Sequence, residues 1–343
     1  MQHLSENLRG TSVLITGGNG YIGRITTIML EQWGCTVWCL DDLSGSQAPT
    51  DTTRFIHGSI LDTALLSTLF QQHQFDVVIH LAGKINVGES IVQPEYYWLH
   101  NVRGTQTLLS CMPSDTMVLF ASSAAVYGAN TVQVQENSQC IPSSPYGDGK
   151  LAAEKAITKH KSKSICFRLF NVAGAIVHPF DSNMIVGEEH LPETHLIPRV
   201  IQQHLINESF SIFGNNHETK DGTCIREFVH VLDVVRAFAM GIVHLNSTSS
   251  QRKLTFNVSS GKGHSVLEVI QAISKEGSLF DQSPVRYHFA AARKGDPSTI
   301  AADISHIKNT LQWSPTHSDL SSIVRSTWQH QLSFHAPTKD ITI

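Results

Sequence analysis

The chain has 343 residues, 41% hydrophobic and 16% charged, and a formal net charge of −4 at pH 7. This composition is typical of a folded protein with one large or two moderate domains, and it excludes a disordered chain. The slight negative charge gives no general attraction to nucleic acid or to an anionic membrane, so we expect neither as a partner. No apolar run approaches the roughly 18 residues of a membrane span. The opening MQHLSENLRG lacks the apolar core of an export signal, which predicts a cytoplasmic protein.

The first predicted element is a short strand that runs into a glycine-rich turn and then into a helix. Residues 13–23 read VLITGGNGYIG, and Gly17, Gly20 and Gly23 separate an apolar run from a helical pattern that ends at Gly34. Glycines at this spacing let the backbone turn tightly, and the N–H groups at the helix start then face a pyrophosphate. The sequence therefore predicts a dinucleotide-binding loop. The competing interpretation is a set of ordinary loop glycines.

The second predicted strand, residues 36–40, leads directly into Asp41 and Asp42. A carboxylate about 20 residues after the glycine turn accepts hydrogen bonds from the adenosine ribose and repels a 2′-phosphate. The sequence thus predicts NAD, and not NADP, as the cofactor. A solvated turn residue is the alternative for Asp41.

Strands and helices alternate from there to about residue 175. The predicted strands are 54–57, 76–81, 117–120 and 164–170, and the predicted helices are 63–74, 94–111 and the segment that begins at Pro145. This alternation predicts an α/β fold with a doubly wound, Rossmann-type parallel sheet.

The pattern changes after Gly174, where residues 181–194 are polar and carry few periodic apolar positions. Further strands are predicted at 209–213 and 254–258, and further helices at 198–207, 232–243 and 266–275. We expect an NAD-binding domain at residues 1–175, to whose sheet some later segments return. Residues 176–343 are expected to form a smaller mixed α/β substrate domain.

Tyr146, Lys150 and Glu154 share one face of the helix that begins at Pro145. A free phenol titrates at about pH 10, which is too high for a base at neutral pH. A lysine ammonium one turn away and the positive nicotinamide of NAD⁺ both favour the phenolate and lower its pKa. Ser123 ends the preceding strand, where its hydroxyl can hold a reacting oxygen of the substrate. The competing interpretation is a surface tyrosine beside an unrelated lysine.

The cysteines and histidines do not follow metal-ligand spacings. The six cysteines are Cys35, Cys39, Cys111, Cys140, Cys166 and Cys224. They are scattered, several of them in apolar strands, and are predicted to be reduced thiols. Since the 19 histidines form no HExxH or comparable motif, no metal is expected.

The glycine-rich turn and the set of Ser123, Tyr146 and Lys150, together with further segments, resemble the extended short-chain dehydrogenase/reductase family and, within it, the UDP-glucose 4-epimerases. The resemblance runs from about residue 13 to about residue 328 through TGGNGYIG, LDDLSGS, HLAGKINVGES, ASSAAVYG, SPYGDGK, RLFNVAGA, ETHLIP, FGNNHETKDGTCIREFVHV and ARKGDP. It implies reversible interconversion of UDP-galactose and UDP-glucose with tightly bound NAD. In that reaction, Tyr146 takes the 4′-OH proton while C4′ passes hydride to NAD⁺, and the 4-keto sugar turns over before hydride returns to its other face.

The resemblance also implies the residues of the site. Those expected to be catalytic are Ser123, Tyr146 and Lys150. Those expected at the cofactor are Gly17, Gly20, Tyr21, Ile22, Gly23, Asp41, Asp42, Leu43, Ser46, Ser59, Ile60, Leu81, Ala82, Gly83, Lys84, Asn101, Ser123, Tyr146, Lys150 and Phe170. Those expected at the substrate are Ser123, Tyr146, Asn171, His195, Leu196, Phe213, Arg226, Arg293, Asp296 and Ile300. The two arginines suit a diphosphate, because planar guanidinium groups grip phosphate oxygens in pairs.

Several residues depart from the family pattern, and they leave fewer polar groups around the catalytic residues. They are Ser59, Ile85, Ala121, Ala125, Gly149 and Leu169. Ala124 and Ala125 follow Ser123 directly, where related dehydratases carry an Asp-Glu pair, so epimerisation is favoured over dehydration or decarboxylation. Two alternatives stay open: an NAD-dependent epimerase of UDP-N-acetylhexosamines or uronates, and a non-catalytic NAD-binding protein of the same fold.

Two further expectations concern specificity and assembly. Ile300 occupies the position that bounds the sugar pocket near C2 in similar enzymes, so hexoses are expected to react faster than N-acetylhexosamines. Similar enzymes pair through two helices, here predicted at residues 94–111 and 145–160, so we expect a homodimer. The residues that suggest this surface are Tyr96, Tyr97, Leu108, Leu151, Ala152 and Ile157.

Overall fold

The computed structural model describes residues 2–45, 54–129, 133–190, 192–248, 253–293 and 297–335. Ser46 and Asp296, both expected in the site, lie outside these ranges. The strands of the described residues are β1 (Ser12–Thr16), β2 (Thr36–Asp41), β3 (Phe55–His57), β4 (Val77–His80), β5 (Met117–Ser123), β6 (Gln133–Val134), β7 (Ser164–Leu169), β8 (Asn171–Ala173), β9 (Ile176–His178), β10 (Asp181–Val186), β11 (Phe210–Phe213), β12 (Ile225–His230), β13 (Lys253–Val258), β14 (Gly263–Ser265), β15 (Tyr287–Ala290) and β16 (Ala301–Ala302).

The helices lie between these strands and at both ends of the described chain. They are α1 (Gln2–Leu8), α2 (Tyr21–Gln32), α3 (Thr63–Gln72), α4 (Val87–Val92), α5 (Pro94–Trp98), α6 (Gly104–Cys111), α7 (Pro145–Lys159), α8 (Leu196–Leu205), α9 (Val231–Ser247), α10 (Val266–Gly277), α11 (Ser305–Leu311) and α12 (Leu320–Phe334). A π-helical turn, Leu99–Arg103, joins α5 to α6.

Seven strands form the central sheet in the order β13-β7-β5-β4-β1-β2-β3, and every neighbouring pair is parallel. Strands β4 and β7 are buried at every position, as expected where helices cover both faces of a parallel sheet. The order runs outward in both directions from β1 and β4, so the carboxyl ends of these two strands border a crevice. The predicted doubly wound α/β fold is confirmed.

The two faces of the sheet bury separate apolar cores. Strand β1 alternates between them, because Val13 and Ile15 face one core and Leu14 faces the other. A third core lies among elements of the C-terminal half, where Phe210 and Trp328 are buried. Strand β13 does not join this half but pairs with β7 in the central sheet.

The helix that carries Tyr146 begins as its sequence predicts. The Ser144 hydroxyl accepts a hydrogen bond from the Gly147 N–H at 3.2 Å, and Pro145 occupies the first helical position, where it has no N–H to satisfy. These contacts fix the residue at which α7 begins. They thereby also fix the direction of the helical face on which Tyr146 and Lys150 lie.

Several elements differ from the prediction, and α1, α11 and α12 were not predicted. The single helix expected at 94–111 is interrupted by the π turn. The sequence did not indicate this turn, because one extra residue in a helical turn leaves the apolar spacing nearly unchanged. The short helix α4 was not predicted. Residues 181–194, which were expected to lack periodic structure, contribute β10, which pairs with β9 as an antiparallel hairpin. No helix in the described ranges is long and apolar enough to cross a bilayer.

Candidate active site

The glycine-rich turn joins β1 to α2 and leaves no room for side chains at two of its glycines. Gly17 has a φ of +70°, and a Cβ built there would lie 2.5 Å from the Ala82 backbone nitrogen. A Cβ built at Gly23 would lie 2.2 Å from the Gly17 carbonyl oxygen. Both positions therefore require glycine. Gly18, which the sequence analysis did not single out, packs on Cys39, whose Sγ would lie 2.3 Å from a Cβ.

Gly20 differs from these glycines because the described residues around it do not exclude a side chain. A Cβ built there would meet the Gly17 carbonyl oxygen at 3.5 Å, an ordinary contact. Gly20 precedes Tyr21, the first residue of α2, so a bare backbone lies beside the free N–H groups of the helix start. This arrangement fits a dinucleotide, whose pyrophosphate needs close approach of backbone N–H groups.

Asp41 holds the glycine turn and the following loop together at the end of β2. Its carboxylate accepts hydrogen bonds from the Asn19 N–H at 2.9 Å and the Leu43 N–H at 2.8 Å. Burial nevertheless raises the pKa of Asp41, against the effect of these two hydrogen bonds. For the neighbouring Asp42, burial is outweighed by hydrogen bonds from Ser44, and the pKa is lowered. Two carboxylates thus lie where NAD selectivity was predicted.

The turn after β4 forms the opposite side of the same crevice. The Lys84 N–H donates to the Asn101 side chain at 2.7 Å, and the Asn101 amide donates back to the Lys84 carbonyl at 2.9 Å. Asn101 lies in the π turn, which brings it to Gly83 and Lys84. The Lys84 ammonium reaches across the crevice and donates to the Ser44 hydroxyl at 2.8 Å. Hydrogen bonds thus link the loops after β2 and β4.

The remaining residues that were expected at the cofactor have the following contacts and burial. The Tyr21 hydroxyl donates to the Gly174 carbonyl at 2.6 Å, and the Ser59 hydroxyl accepts from the Leu61 N–H at 3.2 Å. Ile60 and Phe170 are buried. The half-buried members of the set are Ile22, Leu81 and Ala82.

Strand β5 and helix α7 bring the three expected catalytic residues together. Ser123, at the end of β5, hydrogen-bonds the Tyr146 phenol and favours its ionised form. The Lys150 ammonium donates to the Ala121 carbonyl at 2.8 Å and lies 6.0 Å from the centre of the Tyr146 ring. A side chain at Gly83 would begin 3.9 Å from this ammonium. The three residues that are expected to be catalytic therefore adjoin the expected cofactor crevice.

The pKa values of this group are dominated by burial. Burial raises the pKa of Tyr146 above its usual range, although the Ser123 hydrogen bond opposes the shift. Burial also lowers the pKa of Lys150 to about 8. The protein residues alone therefore do not produce the lowered phenol pKa that the sequence analysis expected; that expectation included the positive charge of the nicotinamide.

The residues expected at UDP fall into three places. The Arg293 guanidinium lies over the Phe213 ring, 4.0 Å from its centre, so this contact joins two residues that are far apart in the sequence. Arg226 lies in β12, where its guanidinium donates to the Ile225 carbonyl at 2.7 Å. The Asn171 amide donates to a carbonyl of the same strand, that of Glu227. The Ile300 N–H also reaches the Ile225 carbonyl, at 3.4 Å.

His195, the third location, belongs to a cluster that the sequence analysis missed. Its Nδ1 lies 3.0 Å from the Glu193 carboxylate and 3.5 Å from that of Glu188, which also pairs with His190. Glu188, His190 and His195 place their ligand atoms within 4.8 Å of one another. Both imidazoles already face carboxylates, which raise the pKa of each histidine, that of His195 against its burial. The described residues of this cluster therefore pair with one another as histidine–carboxylate contacts. Leu196 begins the helix that follows it.

Comparison with known proteins identifies the family of this site. The model of the NAD dependent epimerase/dehydratase family matches residues 13–259. This chain belongs to that family. It is 37% identical, over 96% of its length, to a UDP-glucose 4-epimerase of Halalkalibacterium halodurans, of which it covers 99%.

Solved structures agree with this assignment. The UDP-glucose 4-epimerase of Brucella ovis in complex with NAD superposes with a TM-score of 0.86 and 34% identity, covering 94% of this chain and 98% of that one. The same enzyme from Stenotrophomonas maltophila, with NAD and formylated UDP-arabinopyranose bound, gives 0.86 at 32% identity, with the same coverage. The expected resemblance, enzyme class and NAD cofactor are confirmed.

The contacts of the buried charged residues behind the site were the hardest to predict from the sequence. Glu154 was placed on the catalytic face by its spacing from Lys150, but its partner Arg168 lies on β7 and carried no local signal. Glu188 and Glu193 lie in a polar segment where only their nearness to histidines hinted at pairing. Tertiary contacts, not motifs, define these groups.

Proposed function

We propose that the protein interconverts UDP-glucose and UDP-galactose by epimerisation at C4 of the sugar, with NAD retained throughout. The observation that carries the proposal is the Ser123–Tyr146 hydrogen bond beside the Lys150 ammonium, at the carboxyl edge of the parallel sheet. The family assignment, and relatives that are named UDP-glucose 4-epimerases over nearly their whole length, support it.

Tyr146 is proposed as the acid–base group. Its phenolate takes the proton from the 4′-OH as the keto sugar forms and returns it when the alcohol is restored. The Ser123 hydroxyl holds the same sugar oxygen, and the Lys150 charge favours the phenolate. NAD, held by the glycine turn and by the loops after β2 and β4, would supply reversible hydride transfer at C4. Burial of the group keeps water from the keto sugar.

The diphosphate end of the substrate is proposed to stay fixed while the keto sugar turns over. Arg293, braced on Phe213, and Arg226 on β12 are the guanidinium groups assigned to it, because fork-shaped donors suit phosphate oxygens. His195 and Asn171 are proposed to complete this end of the site. Residues 1–175 would then hold the cofactor and, through Ser123, Tyr146 and Asn171, part of the substrate, whereas residues 176–343 would hold most of the UDP group.

The test is conversion of UDP-galactose to UDP-glucose by purified protein without added NAD or reductant. We expect turnover, together with stoichiometric NAD in an acid extract of the protein. Faster reaction with UDP-N-acetylglucosamine or a UDP-uronate would favour the alternative epimerases. An extract that contains NAD while no UDP-sugar is converted would favour the non-catalytic alternative and overturn the proposal.

We also propose a homodimer formed through the helices of residues 94–111 and 145–160, with the neighbouring helix α4 added to the surface. Three residues on which the sequence argument relied are committed to the protomer's own core: Tyr97, Leu108 and Ile157. Other large apolar side chains there are exposed, with Val92 at 80% and Trp98 at 44% of their surface accessible. Such a patch on a folded protein marks an interface. The resemblance to enzymes that pair through two helices implies that a second copy of this chain covers it.

Light scattering tests the dimer. Trp98→Glu places a charge in the proposed interface, whereas Phe180→Glu places one on a side chain that is 69% exposed on the connection between β9 and β10. We expect the first variant to give a monomer mass and the second a dimer mass. A monomeric parent protein at micromolar concentration contradicts the proposal.

A cytoplasmic location is proposed as well: the six cysteines, all within the described ranges, form no disulfide.

A further inference from the structure

Three successive residues of β5 bind three successive turns of α7. The Ala121 carbonyl accepts from Lys150 at 2.8 Å, and Ser123 hydrogen-bonds Tyr146. Between them, the Ser122 hydroxyl donates to the Glu154 carboxylate at 2.5 Å. The strand and the helix are thereby joined at every turn that carries the catalytic group, and the third contact involves a residue that the mechanism does not use.

Glu154 is buried and strongly held. Its carboxylate accepts from the Arg168 Nε at 3.0 Å and from the second terminal nitrogen at 2.8 Å, a paired geometry that fixes its position. Arg168 is itself fixed, because its other nitrogen donates to the Tyr127 hydroxyl at 2.9 Å and to the Glu136 carbonyl at 3.0 Å. The side chains of Glu154 and Arg168 are each only 7% exposed.

The charges that face Lys150 come from few elements. On α7, Glu154 lies one turn away; on β4, His80 is neutral because burial lowers its pKa to about 3. Strand β5 presents the Ala121 carbonyl and the Phe120 ring, whose centre lies 4.9 Å from the ammonium. Among the described residues, Glu154 is the carboxylate whose charge opposes the effect of burial on the Lys150 pKa. Arg168 faces Glu154 from β7 and does not reach Lys150.

We propose that Glu154, clamped by Arg168 and Ser122, is a positioning residue that fixes both the charge and the register of Lys150 beside Tyr146. The inference rests on the proposed roles of Tyr146 and Lys150. A structural ion pair would be equally buried, but it would not face the catalytic lysine on the same helical face. The negative charge keeps Lys150 protonated at a pH where burial alone would remove the proton.

The test is Glu154→Gln, which preserves size and a hydrogen-bonding oxygen but removes the charge. Glu276→Gln is the matched control, because Glu276 is also buried and pairs with an arginine, Arg325, at 2.9 Å, in the C-terminal half. The two readouts are the pH dependence of kcat with UDP-galactose and the Lys150 pKa. The latter is measured by NMR on lysine-labelled protein, with Lys150→Arg for assignment.

We expect Glu154→Gln to lower the Lys150 pKa by about 1 unit and to move the alkaline limb of kcat to lower pH by the same amount. KM should change little, and Glu276→Gln should lose stability without either shift. An unchanged Lys150 pKa, or equal effects in the two variants, would overturn the inference.

A second variant keeps the proposal testable if Glu154→Gln does not fold. The double variant Glu154→Gln with Arg168→Met removes the unpaired guanidinium that would destabilise the single variant. A downward shift of the Lys150 pKa is again expected, but a smaller one, because the positive charge of Arg168 is removed as well. Because the NMR measurement needs no turnover, it separates this inference from the proposed function. Parent protein that is inactive on every UDP-sugar contradicts only the latter.

Discussion

Replacing Gly20 with alanine tests where the cofactor binds, because the protein itself tolerates the change. Gly20 has φ −71° and ψ 170°, a conformation that alanine adopts freely, and its built Cβ makes a single ordinary contact at 3.5 Å. We therefore expect the unfolding free energy of the cofactor-free protein to change by no more than about 0.5 kcal/mol. The methyl group would instead enter the space assigned to the pyrophosphate.

The expected loss of NAD affinity follows from overpacking a fixed site. An added methyl group in a closely packed contact costs about 1–3 kcal/mol, which corresponds to roughly ten- to a hundredfold in the dissociation constant. Gly23→Ala is the matched comparison. Its Cβ would lie 2.2 Å from the Gly17 carbonyl oxygen and 2.7 Å from the Gly18 Cα, and these backbone atoms cannot rotate away. That variant should lose stability as well as affinity.

The assay is calorimetric titration of NAD into protein stripped of cofactor, with a thermal melt of each stripped variant. Gly20→Ala should melt with the parent and bind weakly, whereas Gly23→Ala should melt earlier. If Gly20→Ala binds NAD with the parent affinity, the pyrophosphate does not lie against this backbone, and the cofactor site must be moved.

Three further predictions concern the reaction and the loop at its edge. Tyr146→Phe should lower kcat by roughly 10²–10⁴ with little change in KM, and near-normal turnover would exclude Tyr146 as the base. Ile300→Ala should raise kcat/KM for UDP-N-acetylglucosamine about tenfold relative to UDP-galactose; equal values for both sugars in the parent would show that Ile300 is no gate. Since carboxylates raise the pKa of His190 and His195, their stabilising effect is complete below about pH 6.5 and is lost as pH rises through the folded-state values. Amide exchange of residues 193–195, corrected for its intrinsic rate, should therefore speed up on the alkaline side, and pH-independent protection would contradict this.

The central sheet was predictable because its strands are buried on both faces and carry nearly continuous apolar runs. The β9–β10 hairpin gave no such signal, since the first three residues of β10 are exposed and polar. The helix faces posed a different problem. An apolar stripe such as that of Tyr97 and Leu108 looks the same whether it packs on the protomer's own core or on a second copy, and here it packs on the core. Periodicity locates an apolar face but does not name what covers it.

The site was predictable where chemistry requires a local motif and not where it depends on distant partners. Gly17, Asp41 and the Tyr146–Lys150 pair lie within short stretches whose spacing already has a physical reason. The acid–base environment of Lys150 does not lie within one short stretch of sequence. It depends on Glu154 of α7, which is held by Arg168 of β7 and by Ser122 of β5. Spacing put Glu154 on the right face; only packing shows that it is buried and clamped there.

Gly149 shows how tertiary contacts compensate for a weak local choice. A glycine inside α7 costs about 1 kcal/mol relative to alanine, and a Cβ at this position would meet Asn101 and Val102 at ordinary distances of 3.5 and 3.8 Å. Steric exclusion therefore does not explain the glycine. The helix is nevertheless held on both sides of it, by the Ser144 cap before and by the Glu154 clamp after. The position of Lys150, which directly follows Gly149, thus depends on contacts to β5 and β7 more than on the helical propensity of its own turn.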